Sequence, residues 1–399
     1  MAGEAAFALP FILVRIFRPS YLEVFQISNE ELGYCYSTFG IVAIFAYIFG
    51  GYFADKFKPS YLIGTSMLLT SAGGFYLATI PSLSGLLLLY GYWGVTTILL
   101  MWAALHKATR IWGGQDNQGK AFGFLDGGRA LISVLIGLSG TYIFSLFIPE
   151  TADDNALELK TEGLKNIFLF CSFFVASVGV LILLLLKNGE QKASKRFGIK
   201  DFLSSFKYPQ VYLLAGIVVC AYSAYRLTDL IPSYAVEIAG MTDLEAADTS
   251  IYLSVLRAIV GFSIGFLVSR SKPFKVMKWA FVLIVVLTLI LISISSKDIG
   301  VTAFLISVTA LGLGVYTTRV MYFAVLQNSK IPLVITGSAI GIISIIGYTP
   351  DIFFGPLTGY FLDVYDYEVG FIYTFIFVAS MATVGFSLTI ALTKVINRE

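Results

Sequence analysis

Gly51-Tyr52-Phe53-Ala54-Asp55-Lys56-Phe57-Lys58-Pro59 is a short charged corner between two long apolar runs. The pattern returns as Gly265-Phe266-Leu267-Val268-Ser269-Arg270-Ser271-Lys272-Pro273, again between apolar runs. Glycine, an aromatic residue, a cation, lysine and proline recur in register, with Ser269 in the place of Asp55. Pro19-Ser20-Tyr21 is echoed by Pro232-Ser233-Tyr234, and the pair Gly119, Gly123 by Gly337, Gly341. The three offsets agree to within a few residues. One echo is cheap by chance, but three in order mark a chain built as two copies of one half.

The 399 residues are 57% hydrophobic and only 13% charged, with a mean hydropathy of +0.82. A soluble domain carries about 25% charged residues. Here the apolar residues also come in long blocks, so lipid is the solvent for most of the chain. A net charge of +2 without basic tracts argues against nucleic acid as a partner. Cys35, Cys171 and Cys220 sit in apolar runs at unrelated spacings and read as small core residues. With His106 the single histidine, no metal site is expected, and no cofactor either. The opening lacks the basic segment and small-residue cleavage site of a signal peptide.

Uninterrupted apolar runs exclude the alternating pattern of a membrane barrel, which leaves helices. Twelve spans are expected, the first over 1–17, the eleventh over 335–362 and the last over 368–393. The first is short for a crossing, so the native start is expected to lie upstream of Met1 or to have been trimmed. The loop 188–207 carries Lys192, Lys195, Arg196, Lys200 and Lys207, whereas 148–163 carries Glu150, Asp153, Asp154, Glu158 and Glu162. Basic loops face the cytoplasm, which places both termini there. The domain reading is a six-helix bundle over 1–187, a cytoplasmic linker over 188–207 and a second bundle over 208–399.

Two six-helix halves, a basic central loop and a Gly-x-x-x-Asp-Lys corner between the second and third spans resemble the major facilitator superfamily. The family's motif continues with a second glycine and a basic pair. Here Lys58 stands for that glycine and Pro59-Ser60 for the pair. Leu13-Val14-Arg15 and Gly347-Tyr348-x-x-Asp351 are similar to the branch that carries nitrate, organophosphates and small carboxylates. The resemblance implies transport by alternating access, with spans 1, 4, 7 and 10 lining a central cavity and 2, 5, 8 and 11 beside it. It implies a gating role for Gly51, Asp55 and Lys56. Gly51 would let its helix approach a neighbour, and Asp55 would meet a helix N-terminus or a basic side chain across the seam. A plain positive-inside anchor is the competing reading.

Charged side chains inside a span are costly and mark function by default. Arg15, Arg129, Arg226, Arg257 and Arg319 fall within the spans, as do Asp126, Asp229 and Asp351. Asp126/Arg129 and Arg226/Asp229 stand three apart and read as intrahelical pairs. That leaves Arg15, Arg257 and Arg319 against Asp351, a positive remainder suited to an anionic substrate because guanidinium forks match carboxylate, phosphate or nitrate. Snorkelling arginines are the alternative, weighing most for Arg15, which Arg18 follows. Asp351 is expected to carry a coupling proton or to balance the arginines. Glu4 joins it as a proton carrier if the first helix begins upstream. His106, Lys107 and Arg110 read as an interfacial belt. Gly119, Gly123 and Gly127, Gly337 with Gly341, and Gly355 with Gly359 are spaced for close helix crossings. Pro350 and Pro356 should kink the eleventh span around Asp351.

The function expected from this reading is secondary transport of a small organic or inorganic anion, coupled to a proton or exchanged for a counter-anion. The protein is expected to act as a monomer in a bacterial inner membrane. A proton-driven exporter of amphiphilic compounds is the alternative, opposed by the lack of a Gly-Pro pairing on the fifth span. A transporter-like nutrient sensor would need a long soluble segment. A multi-pass enzyme ranks last, since neither a nucleotide loop nor a Ser/His pair is present.

Overall fold

The structure, a computed structural model, describes residues 2–113, 118–147, 156–186, 207–268, 273–294, 300–327, 329 and 336–398. Regular structure in the described residues is helical. In chain order the rods are α1 (2–25), α2 (Asn29–Lys56), α3 (Pro59–Leu77), α4 (83–113), α5 (Gln118–Ser145) and α6 (Ala156–Leu185). The second six are α7 (209–237), α8 (Asp243–Val268), α9 (Pro273–Ile294), α10 (Val301–Gln327), α11 (336–364) and α12 (Tyr367–Arg398). Among the described residues, eight helices are long and apolar enough to cross a membrane on those grounds alone. Three of the other four rods have visible reasons for falling short. α1 and α11 are broken, and α3 is diluted by Ser60, Ser66, Thr70 and Ser71.

Local chemistry sets the rod ends. Ser28 accepts from the Glu31 amide at 3.2 Å while the Glu31 carboxylate accepts from the Ser28 amide at 2.9 Å, a capping box that starts α2. The Gly51–Pro59 corner is the end of α2, an extended Phe57-Lys58 link and a proline-led start for α3. α1 continues past the expected end at residue 17 to Phe25. Arg18 looked like a span boundary but is 3% exposed, and its Nη2 donates to Asn29 Oδ1 at 3.0 Å. A charge met by a partner inside the protein does not end a span.

Buried apolar side chains form two clusters, one drawn from 2–178 with Ala247 added, the other from 211–396. Two seams join them, α2 against α11 and α5 against α8. Glycine sets the first seam. A Cβ at Gly33 would strike the Gly355 backbone, one at Gly355 would lie 2.8 Å from Gly33 Cα, and one at Gly359 would lie 2.5 Å from Glu30 Cα. At the second seam a Cβ on Gly127 would strike the Phe262 ring. The close crossings expected at Gly127 and at Gly355 with Gly359 are therefore present. Two other glycine expectations are corrected, because among the described residues a Cβ on Gly51 or Gly341 would meet nothing within 4 Å. Beside Gly51 it is Gly50, turned by one residue around the helix, that faces a neighbour: a Cβ there would lie 3.4 Å from the Leu99 carbonyl oxygen.

Twelve crossings bring both termini to one end, called here the terminal end; the α1–α2 turn marks the far end. Among the described residues, hydrogen bonds joining 2–186 to 207–398 are found from mid-depth to the far end. Ser20 Oγ donates to Asp243 Oδ2 at 2.8 Å and Lys160 Nζ lies 2.9 Å from the same oxygen. Asp363 accepts from the Asn29 amide at 3.1 Å, from Asn29 Nδ2 at 3.0 Å and from the Glu30 amide at 2.7 Å. Ser37 Oγ donates to the Ile352 carbonyl at 2.5 Å. Residues 188–206, like Glu150, Asp153 and Asp154, lie outside the described residues, as do the side chains of Asp55, Asp126 and Arg110.

Candidate functional site: a charged layer at mid-membrane

The repeated Pro-Ser-Tyr breaks α1 and α7 at matching places. A proline removes an amide donor and its ring crowds the carbonyl four residues back. For Pro19 that residue is Arg15, for Pro232 it is Thr228. The helical path leaves α geometry at Phe17 in α1 and passes through a tight turn over Leu227–Asp229 in α7. Upstream in α1, Ala8–Ile12 is wound more widely, in a π-helical segment around Pro10. These breaks deliver Arg15, Arg226 and Asp229 to one level.

Asp229 serves both halves. Its Oδ1 accepts from Arg15 Nε, and its Oδ2 lies 2.5 Å from Arg226 Nη1. Arg226 Nε is 3.5 Å from Asp351 Oδ1, and Asp351 Oδ2 accepts from the Tyr222 hydroxyl at 3.3 Å. Glu4 bridges three helices, accepting from Arg129 Nε of α5 through Oε2 and from Arg257 Nη2 of α8 through Oε1, both at 2.7 Å. Aromatic faces fill the gaps. The Arg226 guanidinium stands 4.4 Å from the Tyr36 ring centre, and those of Arg319 and Arg15 stand 3.7 Å and 5.1 Å from that of Tyr225. Arg257 Nη1 donates to the Tyr225 hydroxyl at 3.2 Å.

The layer is not sealed. The side chains of Arg15, Arg129 and Arg257 keep 11%, 15% and 15% of their surface. They do so between packed helices. A separate small pocket on the same level is lined by Arg18, Tyr36, Arg226, Asp229 and Thr358.

Several expectations change. The Arg226/Asp229 pair forms as expected. Arg15 and Arg257 are not left over, because Asp229 and Glu4 reach them from elsewhere in the fold. Spacing along one helix could not reveal this, since a carboxylate has two oxygens and can serve two partners. Asp351 is not solitary either, given Tyr222 and Arg226. The two prolines act differently: α11 breaks at Tyr348-Thr349 so that Pro350 opens its second segment, while Pro356 lies inside that segment. Of Arg15, Arg257 and Arg319, only Arg319 still has no carboxylate within ion-pair distance among the described residues, and its Nη1 has no partner; buried Arg18 shares that lack and is met by Asn29 instead. In the gating corner, Lys56 is exposed and lies 5.9 Å from the Tyr52 ring centre and 5.8 Å from that of Phe57. Lys107, expected in an interfacial belt, reaches the Ala54 carbonyl at 2.5 Å and so caps α2, where a cation is favoured. Tyr225 and Tyr222 were missed. Their signal was local: they stand three apart and immediately before Arg226.

Known proteins with this pattern are membrane proteins. The Escherichia coli inner membrane proteins YqcE and YihN are 28% and 27% identical, over 91% and 100% of this chain and 85% and 94% of their own. The crystal structure of the nucleoside transporter NupG matches with a TM-score of 0.71 at 14% identity, covering 98% of each chain. The Major Facilitator Superfamily model matches residues 2–352. A chain of twelve spanning helices with charge at its centre, matched over that length, belongs to the Major Facilitator Superfamily: it is a multi-pass membrane transport protein, not an enzyme.

Proposed function

We propose that this transporter is a secondary carrier of a small organic or inorganic anion, with Arg319, Arg257 and Arg15 as its binding groups. The observation that carries the reading is the positive excess at mid-depth. Arg15, Arg129, Arg226, Arg257 and Arg319 face Glu4, Asp229 and Asp351. Even with Asp126 counted among the acids, one of these five guanidiniums remains, and buried Arg18 beside them has no carboxylate either. Arg319 is the natural one, held on a tyrosine face and unmatched by a carboxylate. An unmatched arginine at this depth costs at least about 2.5–3.5 kcal/mol. A bound anion removes that cost and supplies lone pairs to the guanidinium fork.

Alternating access would rock the bundles 1–187 and 208–399 about the charged layer, with 188–207 as the cytoplasmic linker. The far-end hydrogen bonds make the described arrangement closed there, and basic-loop asymmetry assigns the terminal end to the cytoplasm. Asp351 and Glu4 are the groups offered for coupling, either to a proton or through exchange with a counter-anion. Gly51, Asp55 and Lys56 would gate the terminal end. The inner-membrane location of YqcE and YihN supports a bacterial inner membrane here, and a monomer suffices for the cycle.

The test is counterflow in proteoliposomes with labelled phosphate, sulfate, nitrate, organophosphates and small carboxylates, with and without a pH gradient. Exchange of at least one anion is expected. Exchange of cations or neutral solutes alone would overturn the reading. A pH gradient that drives accumulation distinguishes proton coupling from anion exchange.

A further inference from the structure

We infer that Tyr225 touches the transported anion directly, its phenol O–H being a donor of the same site as the arginines. The inference rests on the anion reading and goes further, to the shape of the headgroup. Tyr225 sits on α7 and is 5% exposed. Three guanidiniums from three other helices converge on it: Arg319 of α10 and Arg15 of α1 over its ring, and Arg257 of α8 at its oxygen.

A hydroxyl accepts and donates. The Tyr225 oxygen accepts from Arg257 Nη1, which leaves its own hydrogen to give. Among the described residues no acceptor lies within hydrogen-bond distance of it. Tyr222, one helical turn earlier on α7, differs in that its hydroxyl donates to Asp351. The three guanidiniums in contact with Tyr225 are donors, and the nearest carboxylates, Asp229 and Glu4, are already engaged by Arg15, Arg226, Arg129 and Arg257. What this corner lacks is lone pairs, and guanidinium cannot supply them. An anion with two or more oxygens fits, one set of lone pairs facing the arginine fork and another the phenol. A phosphate, sulfonate or carboxylate has that geometry.

The ring has a second task, since its face carries Arg319. Tyr225→Phe keeps that face and removes only the O–H, so the two roles come apart. The experiment titrates inorganic phosphate, methanesulfonate and succinate into the purified full chain in detergent, following the melting temperature. Wild type is expected to bind at least one of the three. Tyr225→Phe should keep the ligand-free melting temperature and bind that anion about tenfold to a hundredfold more weakly, as for one lost hydrogen bond to a charged group. Tyr316→Phe, on a neighbouring ring 6.4 Å away, should bind as wild type does. Should Tyr225→Phe melt early, the anion titration is repeated by calorimetry well below its melting temperature. Equal binding by wild type and Tyr225→Phe, or an equal loss in Tyr316→Phe, overturns the inference and leaves the anion reading standing. A wild type that binds none of the three anions overturns both.

Discussion

The charged layer at mid-depth and the ring of contacts at the far end both join 2–186 to 207–398 through carboxylates, yet they use them in opposite ways. At mid-depth Glu4 and Asp229 keep 4% and 6% of their side-chain surface and face arginines. At the far end Asp363 is exposed and accepts mostly from the first amides of α2, while Lys160 and Glu23 keep 21% and 45%. Water screens the outer set, where an ion pair is worth about 0–1 kcal/mol. In the layer the same charges have no water to fall back on, so leaving one unmatched is expensive. The layer is therefore suited to choosing a ligand, and the ring to holding one end shut until a small push opens it.

The comparison can be broken at four places. The largest effect is expected from Glu4→Gln, which takes the carboxylate from Arg257 and from one side of Arg129. Losing one partner of a buried pair costs about 3–5 kcal/mol, read as a clear fall in melting temperature in detergent. An unchanged melting temperature would make the layer far wetter than its exposure implies. Next is Arg319→Ala, expected to cost about 1.5–3 kcal/mol of anion affinity for each charged hydrogen bond lost, with little change in ligand-free stability. Arg319→Lys keeps the charge but not the fork and should rescue only part of the binding. Titration calorimetry separates these outcomes.

Third is Gly355→Val at the α2–α11 seam. A side chain there meets backbone, which cannot swing aside, so about 1–3 kcal/mol is expected against the closed far end. Crosslinking between cysteines at Ser37 and Ile352 should slow. The smallest effect is expected from Asp363→Asn, about 1 kcal/mol, since the charge at the start of α2 is lost while an amide oxygen can still accept. Faster labelling of Ser37→Cys from the far side would report it. If Asp363→Asn proved as damaging as Glu4→Gln, the contrast between layer and ring would collapse.

Much of this was legible in the residues. Long apolar blocks required helices in lipid, because backbone groups there must be satisfied within the helix. The Pro-Ser-Tyr echo was legible as a mark of the two-copy plan, but that it breaks α1 and α7 at matching places was seen only in the structure. Arg226 and Asp229 were readable as a pair because three residues separate them on one rod. The first span was ended at residue 17, one short of Arg18, because the burial of Arg18 depends on Asn29 of the next helix. Gly51 was misread as a packing glycine, because which face of a helix meets a neighbour is not written in the motif.

The chain alone therefore determined the solvent, the helical class, the two-copy plan and the sum of charges in the spans. Each follows from local chemistry or from counting. Only the tertiary structure decided who meets whom. Glu4 reaches Arg257, Asp229 reaches Arg15, and three arginines close on Tyr225, because the halves face each other across a seam that glycines hold narrow. Electrostatic partnership depends on distance in space, and in a folded membrane protein that distance bears little relation to separation along the chain.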